Sequence, residues 1–558
     1  MWRFYAIVAV FLLSFLIVIA RLFYWQVVRA EELSLFGEAQ YERTVEFSSQ
    51  RGEIFASDGF PLVASTLSYL IYANPKEIKD IKNVSEKLSN ILGTEPSSVS
   101  AMLSLDRFWV PVASYVSIEK KNKIKELSLQ GVGFDDQFSR FYPEASMSAH
   151  LTGFVGKNDI GEDKGYFGLE GYYDRQLKGK TLKIVQIKDA YERPIIAKRE
   201  VGVGNTKGRA LVTSVDRAVQ HLVEEKLHEG IQKYGASGGM IGVIDPTSGN
   251  IIAMASYPTF DQKTYQRYSE EFYKNPFISD TYEPGSTFKT LIMAAGLDAK
   301  VVLPTTRCPI CEGPVNIGGY TIKTWNDKYY KNATMIEVLQ HSDNTGMVFV
   351  GQSLGLEKLV SYLSLFGIGQ ATGIDLQGEA PSSIRPKEEW RKTDLATASF
   401  GQGISLTPIQ LLSAFASIAN KGVRMKPRIV STIHTSGGEK IEIKPKVLSR
   451  PLSEKTAKIM TEMLVNAVNK GEAAYLKPKG YRVAGKTGTA QIPVEGKYDL
   501  EKTIASFIGF APADDPKFAM LVIFNKPTSS IYGSETAAPT FFEIAKNLLA
   551  YYKIQPTE

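Results

Sequence analysis

The chain opens on an unbroken apolar segment and then mixes apolar and polar positions to its end. Phe4 to Ala20 carries no charged side chain, and a helix of that length is close to the minimum that crosses a bilayer. Arg21 and the aromatic residues Phe23 to Trp25 follow, a composition typical of a membrane interface. The pattern therefore predicts one transmembrane helix with its interface over residues 4–25.

A cleaved signal peptide is the alternative interpretation of this segment. Ala20 would offer the small residue of a cleavage site, but the run exceeds a usual signal core and continues into aromatic residues. We therefore expect a retained anchor. Only Arg3 and the amino terminus precede it, which favours a cytoplasmic tail of residues 1–3 and a main body outside the cytoplasm.

Residues 26–235 are predicted to form a mixed region of strands and helices. Short apolar stretches such as 69–72 are typical of strands, and the spacing at 84–92 predicts a helix. No cluster of residues in this part of the sequence is typical of catalysis. A predicted helix over 216–230 ends in glycine, which places the boundary near residue 235.

The remaining residues, 236–558, are predicted to form one α+β domain. A hairpin opens it, a helical block follows, and three more strands and a helix close it. The predicted strands lie at 240–244, 251–255, 481–492, 503–511 and 518–524. The clearest helix begins at Thr407-Pro408, has a capping-box Gln410 and ends at Asn420. This order predicts a five-stranded antiparallel sheet flanked by helices.

The composition of the chain argues against one class of function but does not identify the function. The chain has 558 residues, 44% of them hydrophobic, and a formal net charge of +6 that is spread over many positions. The densest basic run, Lys120 to Lys125, has acidic neighbours and is typical of a solvated helix face. Because no compact basic patch is interleaved with aromatic residues, nucleic acid is not expected as a partner.

The two cysteines form an isolated Cys308-Pro-Ile-Cys311 segment. A zinc site needs two more ligands, and none of the five histidines is spaced to complete one. In an oxidising compartment the pair therefore predicts a local disulfide that braces a loop, rather than a redox catalyst.

Ser-x-x-Lys occurs twice, at Ser117 to Lys120 and at Ser286 to Lys289. The first lies in a highly charged segment where nothing would desolvate the lysine. At the second, a Pro-Gly pair predicts a tight turn, and the apolar helix behind it should bury Lys289 within reach of the Ser286 hydroxyl. Burial lowers the pKa of a lysine, which makes Lys289 the candidate general base. A capping serine with a surface lysine is the structural alternative.

Ser-x-Asn also occurs twice. At Ser248 to Asn250 the turn of the predicted hairpin explains it. At Ser342 to Asn344 a polar loop between two helices would hold a hydroxyl beside an amide. An N-cap for the following helix is the structural interpretation there, and it is compatible with the functional one.

Lys-Thr-Gly occurs once, inside the predicted strand 481–492. Gly488 would let a ligand backbone approach the strand closely. Lys486, with the hydroxyls of Thr487 and Thr489, would bind a carboxylate. The pattern thus predicts an anion-binding strand edge.

Ser-x-x-Lys, Ser-Asp-Asn and Lys-Thr-Gly in this order are the signature of penicillin-binding proteins and class A β-lactamases. Other segments extend the resemblance to class B penicillin-binding proteins along nearly the whole chain. They are Arg51-Gly-Glu-Ile54, Gly165-Tyr-Phe-Gly-Leu-Glu170 with Leu177-Lys-Gly179, Glu283-Pro-Gly-Ser-Thr-Phe-Lys289 and Gly485-Lys-Thr-Gly-Thr-Ala490. Ala398 to Ile404, followed by Thr407-Pro408, resembles the division (septal) branch. The loop with the two cysteines departs from the family pattern.

The resemblance implies a penicillin-binding transpeptidase fold, with a pedestal domain over 26–235 and the catalytic domain over 236–558. It further implies a peptidoglycan D,D-transpeptidase in which Ser286 attacks the D-Ala-D-Ala bond of a donor stem peptide and Lys289 takes its proton. Ser342, with Lys486 nearby, would pass a proton to the departing D-alanine. The implied substrate-binding residues are Asn344, Thr487, Gly488 and Thr489.

Partners and location are also implied by the resemblance. Stem peptides and β-lactams would bind the site, with no metal or organic cofactor, and the amino-terminal helix would anchor the chain in the cell membrane. A membrane glycosyltransferase and division proteins would be partners, because no glycan-polymerising segment is recognisable.

Three alternative functions differ from this one in the class of protein or in the growth stage served. They are an elongation-type transpeptidase, a penicillin-sensing receptor, which should carry several spans, and a β-lactamase. A β-lactamase needs a second base, and Glu379 is the candidate. The residues after Glu379 lack the Leu-Asn pair that accompanies such a glutamate, so a structural loop is expected there.

Overall fold

The fold was analysed in a computed structural model of the chain. The structure describes residues 1–47, 49–159, 161–179, 182–188, 194–201, 207–381, 383–494 and 497–556. They divide into two compact units. One unit comprises Met1–Arg51, Thr66–Ser139 and Gly179–Gly208, and the other comprises Gly52–Ser65, Arg140–Lys178 and Arg209–Glu558. The units interleave along the chain, so neither is a single continuous range.

The first unit begins with the apolar helix. It spans Trp2–Phe23 and continues as a π-helical turn over Tyr24–Val28, and no residue in either is buried. The segment Trp2–Val28 has a mean hydropathy of 2.8 over its most apolar window and is long enough to cross a membrane. The predicted anchor over residues 4–25 therefore lies within one continuous helical segment.

The rest of the first unit contains short helices and strands. The predicted helix at 84–92 begins earlier, at Ile81, because the Asp80 side chain accepts a hydrogen bond from the Asn83 amide and caps it. Leu88 of this helix is fully buried with Ile71 of a strand. The helices are Ala30–Tyr41, Ile81–Leu92, Pro96–Leu103 and Ile118–Glu126. The strands are Glu42–Phe47, Val110–Val116, Leu182–Lys188, Pro194–Val201 and most of Pro61–Ala73 and of Val132–Phe141.

The second unit is built on a five-stranded sheet, as predicted. Its strands are β1 (Gly238–Ile244), β2 (Ile251–Tyr257), β3 (Ala484–Val494), β4 (Lys497–Ala511) and β5 (Phe518–Asn525). Their order is β2-β1-β5-β4-β3, and every neighbouring pair is antiparallel. Strand β3 is thus at one edge, where the side chains of Lys-Thr-Gly can face a ligand.

Helices cover the sheet. The helix Pro408–Ala419 is buried along its whole length, and its capping box joins Thr407 and Gln410 as predicted. The carboxy-terminal helix Ala537–Tyr551 packs Phe541 against Phe507 of β4. The other α-helices of eight or more residues are Arg217–Tyr234, Lys289–Asp298, Asn344–Leu354, Leu356–Phe366 and Glu454–Lys470. Together these elements confirm the α+β fold.

A buried ion pair lies within the second unit. Arg140 donates to the carboxylate of Glu170, which is fully buried, and also to the Ser65 hydroxyl and the Gly52 carbonyl. These contacts join the segments Gly52–Ser65 and Arg140–Lys178, which are far apart in sequence. Removing either charge would leave its partner buried without compensation.

Candidate active site

A cleft of about 1180 Å³ opens in the second unit. Ser286, Ser342, Asn344, Thr487 and Thr489 all line it, although they come from three distant parts of the sequence. The fold therefore brings the three sequence motifs together at one concave surface. This is the arrangement expected of a ligand site.

Ser286 lies in a short 3-10 turn, Gly285–Thr287, and the α-helix begins only at Lys289. Gly285 has φ of +56°, a conformation that favours glycine, and its amide donates to the Gly401 carbonyl at 3.1 Å. The predicted tight turn is thus present and leaves Ser286 half-buried at the cleft surface.

Lys289 is fully buried beneath the cleft. Its Nζ donates to the Ser342 carbonyl at 2.6 Å, to Asn344 Oδ1 at 2.6 Å and to Ser342 Oγ at 3.3 Å. Burial, reinforced by the charge of Lys486, lowers the pKa of Lys289 to about 7. The predicted base therefore exchanges its proton near neutral pH.

The contact between base and nucleophile differs from the expectation. In the described part of the chain, Lys289 Nζ donates to the Ser342–Asn344 loop and not to Ser286 Oγ. Catalytic hydrogen bonds are often long in ligand-free enzymes and tighten when the substrate binds. The sequence predicted that Ser286 and Lys289 lie within reach of each other. It did not reveal that the Ser342–Asn344 loop accepts the hydrogen bonds of the Lys289 ammonium group.

The Ser342–Asn344 loop presents two groups to the cleft. Ser342 is buried and has φ of +54°, which is uncommon for a residue with a side chain. Asp343, rather than Ser342, caps the helix Asn344–Leu354. The Ser342 hydroxyl is therefore not used as a cap, and it faces Lys289. Asn344 is fixed from both sides, since its Nδ2 donates to the Lys323 carbonyl at 2.8 Å.

Lys486 and Thr487 come from the edge strand β3. Lys486 is buried, which lowers its pKa, and its Nζ donates to Thr487 Oγ1 at 3.1 Å. A side chain on Gly488 would lie 2.3 Å from Ser506 Oγ and 2.8 Å from Thr287 Cγ2. Gly488 is thus required for the strand to pack against the Ser286 turn, a reason that the sequence did not suggest.

The other copies of Ser-x-x-Lys and Ser-x-Asn have structural roles, of which the turn at Ser248 was predicted and the cap at Ser117 was not. Ser117 is the N-cap of the helix Ile118–Glu126, and Lys120 Nζ donates to the Leu92 carbonyl. Ser248 lies in the turn between β1 and β2, where its Oγ accepts the Asn250 amide at 3.2 Å. Neither serine lines the cleft.

The predicted disulfide is also present. Cys308 and Cys311 are bonded and completely buried, and the Cys308 amide donates to the Ala333 carbonyl at 2.8 Å. The bridge braces the loop that precedes the hairpin Val315–Ile317 and Tyr320–Ile322, whose residues line the cleft.

Sequence reasoning missed several cleft residues. Thr487 Oγ1 donates to Glu472 Oε2 at 3.3 Å, and Glu283 accepts a hydrogen bond from the Tyr498 hydroxyl at 3.0 Å. Trp325 makes an edge contact with Tyr532 at the rim. Of these cleft residues, those that belong to no motif recognised in the sequence, and that only the fold identifies, are Trp325, Glu472, Tyr498 and Tyr532.

Comparison with known proteins identifies the family to which the chain belongs. Residues 239–549 match the penicillin-binding protein transpeptidase domain, and residues 46–213 match the penicillin-binding protein dimerisation domain. The stage V sporulation protein D of Bacillus subtilis is 33% identical over 97% of this chain and 84% of its own length. The chain belongs to the class B penicillin-binding proteins.

Other members of the class support the same assignment. The peptidoglycan D,D-transpeptidase FtsI of Escherichia coli is 30% identical over 100% of this chain and 92% of its own length. A peptidoglycan synthetase from Bifidobacterium adolescentis has a TM-score of 0.74 at 28% identity, covering 93% of this chain and 98% of its own. The predicted transpeptidase fold and the serine D-Ala-D-Ala transpeptidase activity are thereby confirmed. The apolar amino-terminal helix fits a single-pass membrane protein.

Proposed function

We propose that this transpeptidase cross-links peptidoglycan in septal wall synthesis through an acyl-enzyme on Ser286, with its catalytic domain outside the cytoplasm. The observation that carries the assignment of Ser286 is the buried Lys289, which has a pKa near 7 and lies three residues after a serine exposed to the cleft. A lysine in water would be protonated at that pH and could not act as a base.

The acylation step follows from these positions. Ser286 Oγ attacks the carbonyl carbon between the two D-alanines of a donor stem peptide, and its proton passes to Lys289 Nζ. Backbone amides of Ser286 and Thr489 stabilise the oxyanion. The C–N bond then breaks, and D-alanine leaves with a proton delivered through the Ser342 hydroxyl, which contacts Lys289 Nζ.

Transfer to the acceptor completes the cycle. The amine of a neighbouring stem peptide attacks the ester carbonyl and gives up one proton to the free amine of Lys289. The C–O bond to Ser286 then breaks, and Ser286 Oγ takes up that proton from Lys289. Asn344 holds the donor peptide in both steps. In the acylation step Lys486, Thr487 and Thr489 bind, beside Gly488, the carboxylate of the terminal D-alanine, which then leaves with that residue. A β-lactam carries a carboxylate in the corresponding place, so it acylates the same serine.

The proposed growth stage and partners are inferred from the related proteins. Relatives named FtsI and PenA favour division, whereas a relative named for sporulation stage V and the elongation branch are the alternatives. Residues 26–235 would then act as a pedestal that contacts a membrane glycosyltransferase and division proteins. A fluorescent fusion of the full chain should concentrate at the division site. Labelling spread along the side wall, or confined to sporulating cells, would assign the other stage.

The residue assignment is tested with a fluorescent penicillin. Mass spectrometry of the labelled full-length protein should place the adduct on the peptide that contains Ser286, and Ser286→Ala should abolish labelling. Ser117→Ala is the matched control, since it removes the serine of the other Ser-x-x-Lys and should label normally. An adduct at Ser117, or persistent labelling of Ser286→Ala, would refute the assignment.

A further inference from the structure

Glu472 places a carboxylate beside the group that should bind the substrate's own carboxylate. It follows the helix Glu454–Lys470 and lines the active-site cleft, where it is half-buried. Its Oε2 accepts a hydrogen bond of 3.3 Å from Thr487 Oγ1. A negative charge at this position is unexpected, because the neighbouring residues Lys486, Thr487 and Thr489 are proposed to bind the carboxylate of the ligand.

The hydroxyl of Thr487 has one proton to donate. Lys486 Nζ donates to Thr487 Oγ1 at 3.1 Å, so the hydroxyl accepts from the lysine and gives its own proton to Glu472. Thr489 differs, because its Oγ1 accepts from the Gly533 amide, and among the described residues no acceptor takes its own proton. The Thr487 half of the subsite is therefore already occupied by a residue of the chain.

The charge of Glu472 also acts on the two buried lysines. It raises the pKa of Lys486 and of Lys289, against the lowering that burial causes in both. In the ligand-free enzyme it thus serves as a counter-ion for cations that are otherwise poorly solvated. An incoming carboxylate would supply the same charge to Lys486 and would need the same Thr487 proton.

We propose that Glu472 is a specificity-determining residue, a resident carboxylate that occupies the Thr487 hydroxyl until the carboxylate of a donor peptide or β-lactam replaces it. The proposal rests on the carboxylate subsite assigned under the proposed function. Two carboxylates near one hydroxyl repel each other, so Glu472 slows the capture of anionic ligands and favours those that bind tightly enough to displace it.

The test measures the second-order rate of acylation by benzylpenicillin in the full-length protein. Glu472→Gln keeps the volume and a hydrogen-bond acceptor but removes the charge, so acylation should become roughly three- to tenfold faster. Glu472→Ala removes both and should also be faster. Glu454→Gln is the matched control, because Glu454 is an exposed glutamate at the start of the preceding helix and its change should leave the rate unaltered.

A double-mutant cycle decides whether Glu472 acts through Thr487. In a Thr487→Val background the hydroxyl is gone, and Glu472→Gln should no longer accelerate acylation. Equal acceleration in both backgrounds would show that Glu472 acts only through the general field of the cleft, and would overturn the proposal. Unchanged or slower acylation in Glu472→Gln and Glu472→Ala, with unchanged melting temperatures, would also overturn it. An error in the assignment of Ser286 would be detected separately, because fluorescent penicillin would then still label Ser286→Ala.

Discussion

Two lysines are buried at this site, and their burial lowers the pKa of each. Lys289 and Lys486 are almost inaccessible to solvent, and the charge of Lys486 disfavours protonation of Lys289. Sequence motifs identified both residues, since Ser-x-x-Lys followed by an apolar helix predicts a desolvated lysine. The motifs could not predict the left-handed backbone of Ser342 or the proximity of Glu472, because both depend on how distant loops pack.

The first residue-scale prediction concerns the base. Lys289→Met keeps most of the volume and removes the amine, so acylation by a β-lactam should fall by about 10²–10⁴-fold while the fold is retained. Lys120→Met, in the other Ser-x-x-Lys, is the control and should acylate normally. Near wild-type acylation by Lys289→Met with an unchanged melting temperature would mean that another group accepts the proton.

The pH dependence follows from the same group. With a pKa near 7, Lys289 is mostly protonated below pH 7 and mostly a free amine above it. Only the free amine accepts the Ser286 proton, so the acylation rate of the wild type should rise with pH through about 7. Stopped-flow acylation between pH 5.5 and 8.5 measures this. A rate that falls over this interval would contradict the assignment of Lys289 as the base.

At the scale of helices and strands, the sequence predicted most of the features that depend on contacts between neighbouring residues. The capping box at Thr407 and the hairpin turn at Asp245 to Asn250 were recognisable because their side chains act on nearby backbone. The apolar helix predicted behind Ser286 begins at Lys289, after a 3-10 turn over Gly285–Thr287 that was not predicted. The hairpin Val315–Ile317 and Tyr320–Ile322 was not predicted, since its strands are short and lie within a region of helical patterns.

The element-scale prediction concerns the amino-terminal helix. Trp2–Val28 is one helical segment without a break at Ala20, and its aromatic end would lie at the membrane interface. The helix should therefore remain attached. Intact mass of the protein extracted from membranes should equal that of the full chain, with or without its initiator methionine. A mature chain that begins at Arg21 would identify the helix as a cleaved signal peptide.

At the scale of the whole molecule, contacts between distant segments decide what the chain can do. Arg140 joins its own segment to Ser65 and Gly52, which lie 75 and 88 residues away, and the Ser286 turn packs against β3 from the other end of the domain. Periodicity cannot predict such contacts, so the resemblance to a family supplied the arrangement of the three motifs. The interleaving of the two compact units was not predictable for the same reason.

The last prediction is that a β-lactam remains attached to Ser286, which makes the protein a target and not a resistance enzyme. Hydrolysis of the acyl-enzyme needs a second base that activates water. The candidate, Glu379, does not line the cleft; its carboxylate accepts hydrogen bonds from the Thr372 amide and hydroxyl and from the Gly373 amide. These contacts use the carboxylate to close a loop, which agrees with the structural role expected from the sequence.

The measurement follows the loss of bound fluorescent penicillin from the purified full-length protein after free label is removed. The label should persist far longer than the seconds that a β-lactamase requires, and Glu379→Gln should not prolong its lifetime. That variant should instead lower the melting temperature, because an amide nitrogen would face a loop donor that now pairs with a carboxylate oxygen. Release within seconds that Glu379→Gln abolishes would make Glu379 a deacylating base. An acceptor amine is a better nucleophile than unactivated water, so we expect transfer to proceed at this site where hydrolysis stalls.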